Sequence, residues 1–324
     1  MGIVPAAPDV KERIRLRVPA VGRLLACAHS GFQSAGSAVV VDPGGLVVAT
    51  VHQIQDRALG CQGQFYLSLP DVNNPHGQLT PERRYPLSLV RLSAVHDLAL
   101  LKIDAESGYP FASLPLAPPE PPALLDTVYV LGYPELGGAS ITICQGVVAG
   151  VEDSEGWLKL DTHLVHGYSG GAVLNEKGEL IGIPVQKRID YTRLNVTKSN
   201  GPSLTPVGSM DFARGVSAIN QLVSGRLTGS SHVRVTGTIN AERGKPIANA
   251  LVALLRGRPE IVDRSNVLGY GWTVSNGSFL LMSDASEGEY TLRVKAEGYQ
   301  PKDHRVRIGK GEPTPCTIQL EPTR

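Results

Sequence analysis

An excess of charge of either sign is missing from this chain. Its 324 residues carry 31 Lys and Arg against 30 Asp and Glu, a formal net charge of +1, which argues against nucleic acid as the main partner. Cysteine is scarce: Cys27, Cys61, Cys144 and Cys316 form no C-x-x-C pair and show no zinc-ligand spacing, so no structural zinc module is expected. Cys144 in "SITICQGVV" and Cys316 in "PCTIQL" read as buried thiols on strands. A Cys27–Cys61 disulfide is neither required nor excluded. The N-terminus lacks a long apolar run: "LLACA" is the longest after the first charges, far short of a secretory core or membrane span. A native start would make the protein cytoplasmic; a removed signal peptide would make it periplasmic or secreted. No membrane span is expected.

Turn formers are plentiful, with 36 Gly and 24 Pro, and 42% of residues are hydrophobic. This is the composition of a packed protein with many strands. Short β-rich runs follow one another from "RLLACAHSG" through "GSAVVVD", "LVVATVHQI", "QFYLSL" and "LALLKID" to "DTVYVLGYP", "ASITICQGVVAG", "WLKLDTH" and "ELIGIPV". Amphipathic helices between them are missing, so an antiparallel barrel or sandwich is expected rather than βαβ units. One helix is expected late in this half, "SAINQLVSG", with Ile219, Leu222 and Val223 on one face and Gly225 at its end. The small, polar "SGRLTGSSHV" (224–233) reads as a linker. Beyond it, about seven short strands, with "YTLRVKA" alternating cleanly, fit a small β-sandwich. Segments 71–84, 117–122 and 187–209 read as long loops.

The stretch "DTHLVHGYSGGAVLNEKGELIGI" sets Ser169 among glycines. A serine hydroxyl becomes a nucleophile when a base takes its proton, and a carboxylate must orient that base. Candidates stand at the edges of two strands: His52 at the end of the apolar run in "LVVATVHQI", and Asp97 in "AVHDLALLKID". They occur in the order His, Asp, Ser, 45 and 72 residues apart (97 − 52 and 169 − 97). That spacing suits a serine protease built of two barrels.

"GSAVVVDPGGLVVATVHQI", "HDLALLKID", "GYSGGAVLNEKGELIGI" and "MDFARGVSAINQLV" together resemble the trypsin-like peptidases, in particular their bacterial HtrA-type branch, over roughly residues 20–227. The resemblance implies an all-β, two-barrel chymotrypsin-like fold with the site in the cleft between barrels. It gives the roles of nucleophile to Ser169, proton shuttle to His52 and orienting acid to Asp97. The amides of Gly167 and Ser169 become the oxyanion hole. Tyr168 departs from the usual Asn or Asp and is expected to reshape the leaving-group side. His163, six residues before Ser169, stands where enzymes that cleave after Lys or Arg carry an Asp, so strong basic specificity is not expected. Phe212, Ala213 and Arg214 are read as pocket wall, with Arg214 favouring acidic substrates if it turns inward. His163 and His166 in "HLVH" lack a third ligand, and no metal or cofactor is expected. His96 is read as solvated.

"VRVTGTINAERGKPIANALVALL" and "GEYTLRVKAEGYQPKDHRVRIGKG" resemble the carboxypeptidase regulatory-like domain, a transthyretin-like β-sandwich without catalysis of its own. The expected organisation is therefore a protease domain over 1–228 and a sandwich over 233–324. The sandwich is read as a binding or assembly unit, separable from a catalytic unit complete in itself. The function expected is serine endopeptidase through an acyl-enzyme, with a protein or peptide substrate. The alternative is an inactive or latent scaffold that needs a regulatory protein partner or cleavage.

Overall fold

A computed structural model describes residues 8–28, 31–58, 64–74, 76–93, 96–105, 110–152, 156–194, 203–226, 233–260, 266–273, 276–283, 285–309 and 314–323. The first six strands, β1 (Val21–Ala28), β2 (Gly31–Asp42), β3 (Leu46–Ala49), β4 (Phe65–Pro70), β5 (Leu79–Ser93) and β6 (Leu98–Ile103), close into a barrel in the order β1-β2-β3-β6-β5-β4. The next six are β7 (Thr127–Gly132), β8 (Thr142–Glu152), β9 (Trp157–Asp161), β10 (Ala172–Leu174), β11 (Leu180–Leu194) and β12 (Ser203–Gly215). They close a second barrel in the order β10-β11-β12-β9-β8-β7. Closure removes the unpaired edges that an open sheet of this size would expose.

The period of two explains the apolar runs. In β6, Ala99, Leu101 and Ile103 point into the first barrel beside Ala38, Val40 and Leu67. Leu98 and Leu100 point outward, yet they are buried in a seam shared with Leu131, Tyr133, Ala172 and Leu174 of the second barrel. Strands buried on both faces read as unbroken hydrophobic runs, which is the pattern of "LALLKI". Val128, Val130, Val148, Leu158, Leu160 and Val173 fill the second barrel.

Among the described residues three α-helices accompany the strands. α1 (Val10–Arg15) is capped by Asp9, whose carboxylate accepts from Glu12 N at 2.8 Å. α2 (Val51–Ala58) follows β3 directly, and α3 (Val216–Ser224) follows β12. α3 ends at Gly225 in the left-handed region (φ 74°), in line with its sequence. It buries Val216, Ala218, Ile219 and Leu222. Arg91 Nη1 donates to Leu222 O at 2.9 Å, a cation on the carbonyl end of the helix.

Seven further strands follow: β13 (Val233–Ala241), β14 (Leu251–Leu255), β15 (Val267–Trp272), β16 (Ser278–Ser283), β17 (Gly288–Lys295), β18 (Lys302–Ile308) and β19 (Thr314–Leu320). They form sheets ordered β16-β13-β19 and β15-β14-β17-β18 around Val235, Val252, Leu254, Phe279, Leu281 and Leu292.

Two loop readings are corrected. Of segment 71–84, the part from Leu79 onward belongs to β5, paired with β4. Most of 187–209 extends β11 and β12, which stay paired, through register shifts at Pro184/Gln186 and Asp190/Tyr191, as far as Leu194 opposite Ser203; backbone pairing with a neighbour overrides the polar composition. Residues 195–202 lie outside the described residues. The thiols of Cys27, Cys144 and Cys316 are free and half-buried, so the latter two are less deeply placed than expected. Burial raises the pKa of Cys144, and that of Cys316 to about 11. Cys61 lies outside the described residues.

Leu101 is 1% exposed at the centre of the first barrel. Leu101→Ala should cost about 2 to 5 kcal/mol, because rigid strands collapse poorly into the space left behind. Denaturant unfolding checks this; a loss below about 1 kcal/mol would show that the barrel interior relaxes freely.

Candidate active site

β3 ends at Ala49, and the chain turns at once into α2. Thr50 N and Oγ1 lie 2.9 and 2.8 Å from Gln53 Oε1. Gln53 thus reaches back to the residue that precedes the helix, the side-chain half of a Thr-x-x-Gln capping box, and accepts from both its amide and its hydroxyl. His52 therefore sits in the first turn of a helix, not at the strand end expected for it. The "TVHQ" spelling is the signal for this.

Asp97 stands immediately before β6 with φ 54°, a left-handed conformation that Asp tolerates better than most residues. Its Oδ1 accepts from His52 N at 2.8 Å and its Oδ2 lies 2.6 Å from His52 Nδ1. Val51 N donates to Asp97 O at 3.3 Å. One carboxylate thus satisfies an orphan amide of the helix start and orients the ring. A carboxylate oxygen accepts, so Nδ1 carries the proton and Nε2 keeps its lone pair. Nε2 lies 3.4 Å from Thr50 Oγ1, too far for a strong hydrogen bond.

Ser169 is tied to the same helix through the backbone. Gln53 Nε2 donates to Ser169 O at 2.7 Å, and also to Ala35 O and Ser37 O at 3.0 and 3.2 Å. Ser37 N donates to Ser169 O at 3.0 Å. The hydroxyl of Ser37 donates to Gly167 O at 2.6 Å and accepts from Tyr133 N at 2.8 Å. His166 O accepts from Glu135 N, and Tyr168 O from Gly171 N. The carbonyls from His166 to Ser169 are thus all held by the protein. In a trans peptide the N–H lies opposite the preceding C=O, which turns the amides of Gly167 and Ser169 away from those partners.

The glycines admit this loop to the barrels. Gly167 has φ +104° and a Cβ there would lie 2.6 Å from Pro134 Cα; Gly170 has φ +79° and a Cβ would lie 2.1 Å from Ser37 O. Any larger residue collides with backbone. Tyr168 does not shape a leaving-group side: its ring is buried in the second barrel beside Cys144. Burial drives its pKa up, with Cys144 adding to the shift. An open cleft of about 460 Å³, lined by Arg23, Gln33 and Ser34 of the first barrel and Glu135 of the second, opens beside the loop.

The residues read as pocket wall divide between two faces of β12. Ala213 joins the second barrel's interior with Leu164 and Tyr168. Phe212 and Arg214 lie on the other face against Trp157, the Arg214 guanidinium 3.6 Å from the indole centroid. Arg214 is 2% exposed and its Nε donates to His96 O at 3.1 Å. Burial lowers its pKa to about 10, opposed by the charge of Asp97 and by Tyr270. His163 and His166 are exposed. Among the described residues, no three His, Cys, Asp or Glu side chains are grouped to hold a metal ion. Two contributors escape a reading of the sequence. Gln53 is one. Asp211 is the other: it is 1% exposed, and its Oδ2 accepts from Thr162 Oγ1 and Leu164 N at 2.8 and 3.0 Å. It thereby holds the segment leading to Ser169; an acid between Met210 and Phe212 on a strand is its trace.

The trypsin-like peptidase domain family matches residues 36–183 and the carboxypeptidase regulatory-like domain family residues 234–321. The chain thus carries one segment that matches trypsin-like peptidase domains and, after it, one that matches carboxypeptidase regulatory-like domains. The peptidase domain is similar to the serine endoprotease DegS of Salmonella typhimurium, at 30% identity over 48% of this chain and 41% of that protein. It is also similar to the chloroplastic Protease Do-like 2 of Arabidopsis thaliana, at 34% identity over 32% of this chain and 18% of that protein. The chain thus spans about two fifths of DegS. A serine endoprotease from Yersinia pestis shares the fold, with a TM-score of 0.50 at 18% identity, over 95% of this chain and all of that one.

His96 corrects another reading. It is half-buried, not solvated, with Nδ1 2.8 Å from Ser93 Oγ. Burial first, then the charge of Arg214, hold its pKa below 6.5. The unfolded chain therefore takes up this proton more readily. The resulting stability is full above about pH 6.5 and is lost as pH falls through the lowered value. Thermal melting of His96→Gln between about pH 7.5 and about pH 5 should show a shallower acid decline than the parent. Parallel curves would refute this.

Proposed function

We propose that the chain is a serine endopeptidase acting through His52, Asp97 and Ser169. The observation that carries this reading is the 2.6 Å contact of Asp97 Oδ2 with His52 Nδ1, made next to a loop whose carbonyls are all turned into the protein. His52 Nε2 takes the proton of Ser169 Oγ as that oxygen attacks the scissile carbonyl, and Asp97 stabilises the imidazolium that forms. The Gly167 and Ser169 amides receive the developing oxyanion. His52 returns its proton to the leaving amine, and water then releases the acyl-enzyme by the same relay. No feature of the site favours the inactive scaffold.

Substrate is a protein or peptide, taken up from the open cleft between barrels. Similar proteins of Buchnera aphidicola and Salmonella typhimurium are named as periplasmic serine endoproteases, which supports the periplasmic alternative. Among the described residues no helix is long and apolar enough to cross a membrane. As to specificity, Ala213 is fully buried in the second barrel and Arg214 is held by Trp157 and His96, so neither presents a charge to substrate.

Ser169→Ala should lower peptide turnover roughly a million-fold and abolish labelling by a fluorophosphonate while leaving the melting curve unchanged. Turnover retained in that variant would refute the serine mechanism. Cleavage should follow small or medium apolar residues. Profiling with a mixed peptide library checks this, and a dominant Lys or Arg preference would show it wrong.

A further inference from the structure

An antiparallel edge strand of a sandwich, such as β16 beside β13, ordinarily buries one face and wets the other. β16 does not. Phe279 and Leu281 point into the sandwich core. Their alternates Leu280 and Met282 point out of it, yet Met282 is 5% exposed and belongs to the core of the first barrel with Val51, Ile54, Phe65 and Leu92; Leu280 packs against the same group. Val51 and Ile54 are residues of α2. The contact has a polar pin as well. Gln55, 5% exposed, donates from Nε2 to Met282 O at 2.9 Å in a buried setting. Gln55 is one helical turn beyond His52, on the same side of the helix. β16 is an edge strand of its sheet. On the neighbouring strand β15, Tyr270 stands close enough to Arg214 to act on its charge, and Arg214 holds the carbonyl of His96 next to Asp97.

α2 has eight residues, too few to be stable alone. Its orientation comes from what grips it. Gln53 and Asp97 grip the first turn, the barrel core takes Val51 and Ile54, and the sandwich takes Gln55 and covers Ile54. The apolar, buried character of this contact departs from the modest polar interface expected between separable units.

We infer that the C-terminal sandwich is a positioning element of the active site, fixing the turn of α2 that presents His52 to Asp97 by seating Leu280 and Met282 and pinning Gln55. Its consequence for rate rests on the serine-protease reading; the geometry does not. Gln55 is a positioning residue, since it touches neither substrate nor the reacting atoms. Misplacing a reacting group by an ångström costs about a hundredfold in rate.

The test uses the full chain with two variants. Gln55→Leu keeps the volume and removes the donor; Met282→Glu sets a charge in the apolar seat. Each should lower kcat about tenfold to a hundredfold on an unstructured peptide, with KM changed less than about twofold. The acidic limb of the pH profile should move to lower pH, because His52 loses part of its pairing with Asp97. In proton NMR, the downfield Nδ1–H signal of His52 should weaken or move upfield. If Met282→Glu fails to fold, Gln55→Leu carries the test. A Gln55→Leu protein with unchanged kcat, pH profile and Nδ1–H signal would overturn the inference. A parent protein that neither cleaves peptide nor reacts with a fluorophosphonate would instead sink the proposed function. The Nδ1–H signal alone would then decide the positioning role.

Discussion

Everything at the site hangs on a knot of carbonyls beneath Ser169. Gln53 Nε2 serves Ala35 O, Ser37 O and Ser169 O, while the Ser37 hydroxyl joins Tyr133 N to Gly167 O. These bonds cross from the first barrel to the second, so the helix bearing His52 and the loop bearing Ser169 are fastened to one point. Buried carbonyls left without donors are costly, which makes the knot cooperative: losing the Gln53 amide takes a donor from three acceptors at once. The same Gln53 closes the capping box with Thr50, so helix initiation and loop placement depend on a single side chain.

Around the knot, the two closed barrels supply stiffness and short departures from them carry the candidate reacting groups. β3 stops at Ala49 and β6 begins at Leu98; His52 and Asp97 lie just beyond these ends. The strands are held by apolar layers on both faces, so the two residues inherit the rigidity of the seam. Asp97 is constrained twice, by its left-handed backbone and by two hydrogen bonds to His52. Asp211 plays a comparable part in the second barrel, anchoring the approach to Ser169.

The sandwich turns an ordinary rule to another use. Alternation along β16 places apolar residues on both faces, and the outward pair completes the first barrel's core. A domain joined by a polar linker is thereby packed into its neighbour, and the helix between them is gripped from two sides. The linker's composition describes how the chain reaches the sandwich and carries nothing about where the sandwich rests.

Much of this is legible in the order of the residues alone. Period-two patterning and turn residues specify an all-β chain, since pattern and turn chemistry are local properties. The His, Asp and Ser motifs each sit beside a recognisable strand, and Gly225 ends its helix as its conformational freedom allows. Other features are not legible there. The polar stretch 187–209 mostly pairs as strands, because a partner strand overrides local propensity. Alternation separates Phe212 and Arg214 from Ala213, but which side meets the Ser169 loop depends on packing. Nor does composition tell that Arg214 lies on Trp157, that His96 is half-buried, or that Met282 belongs to another domain's core. By itself the sequence determined strands, turns and the candidate reacting groups, which depend on neighbours along the chain. Only the tertiary structure decided what each side chain faces, because that depends on residues brought together from 100 or more positions away, as Gln53 and Ser169 are across 116.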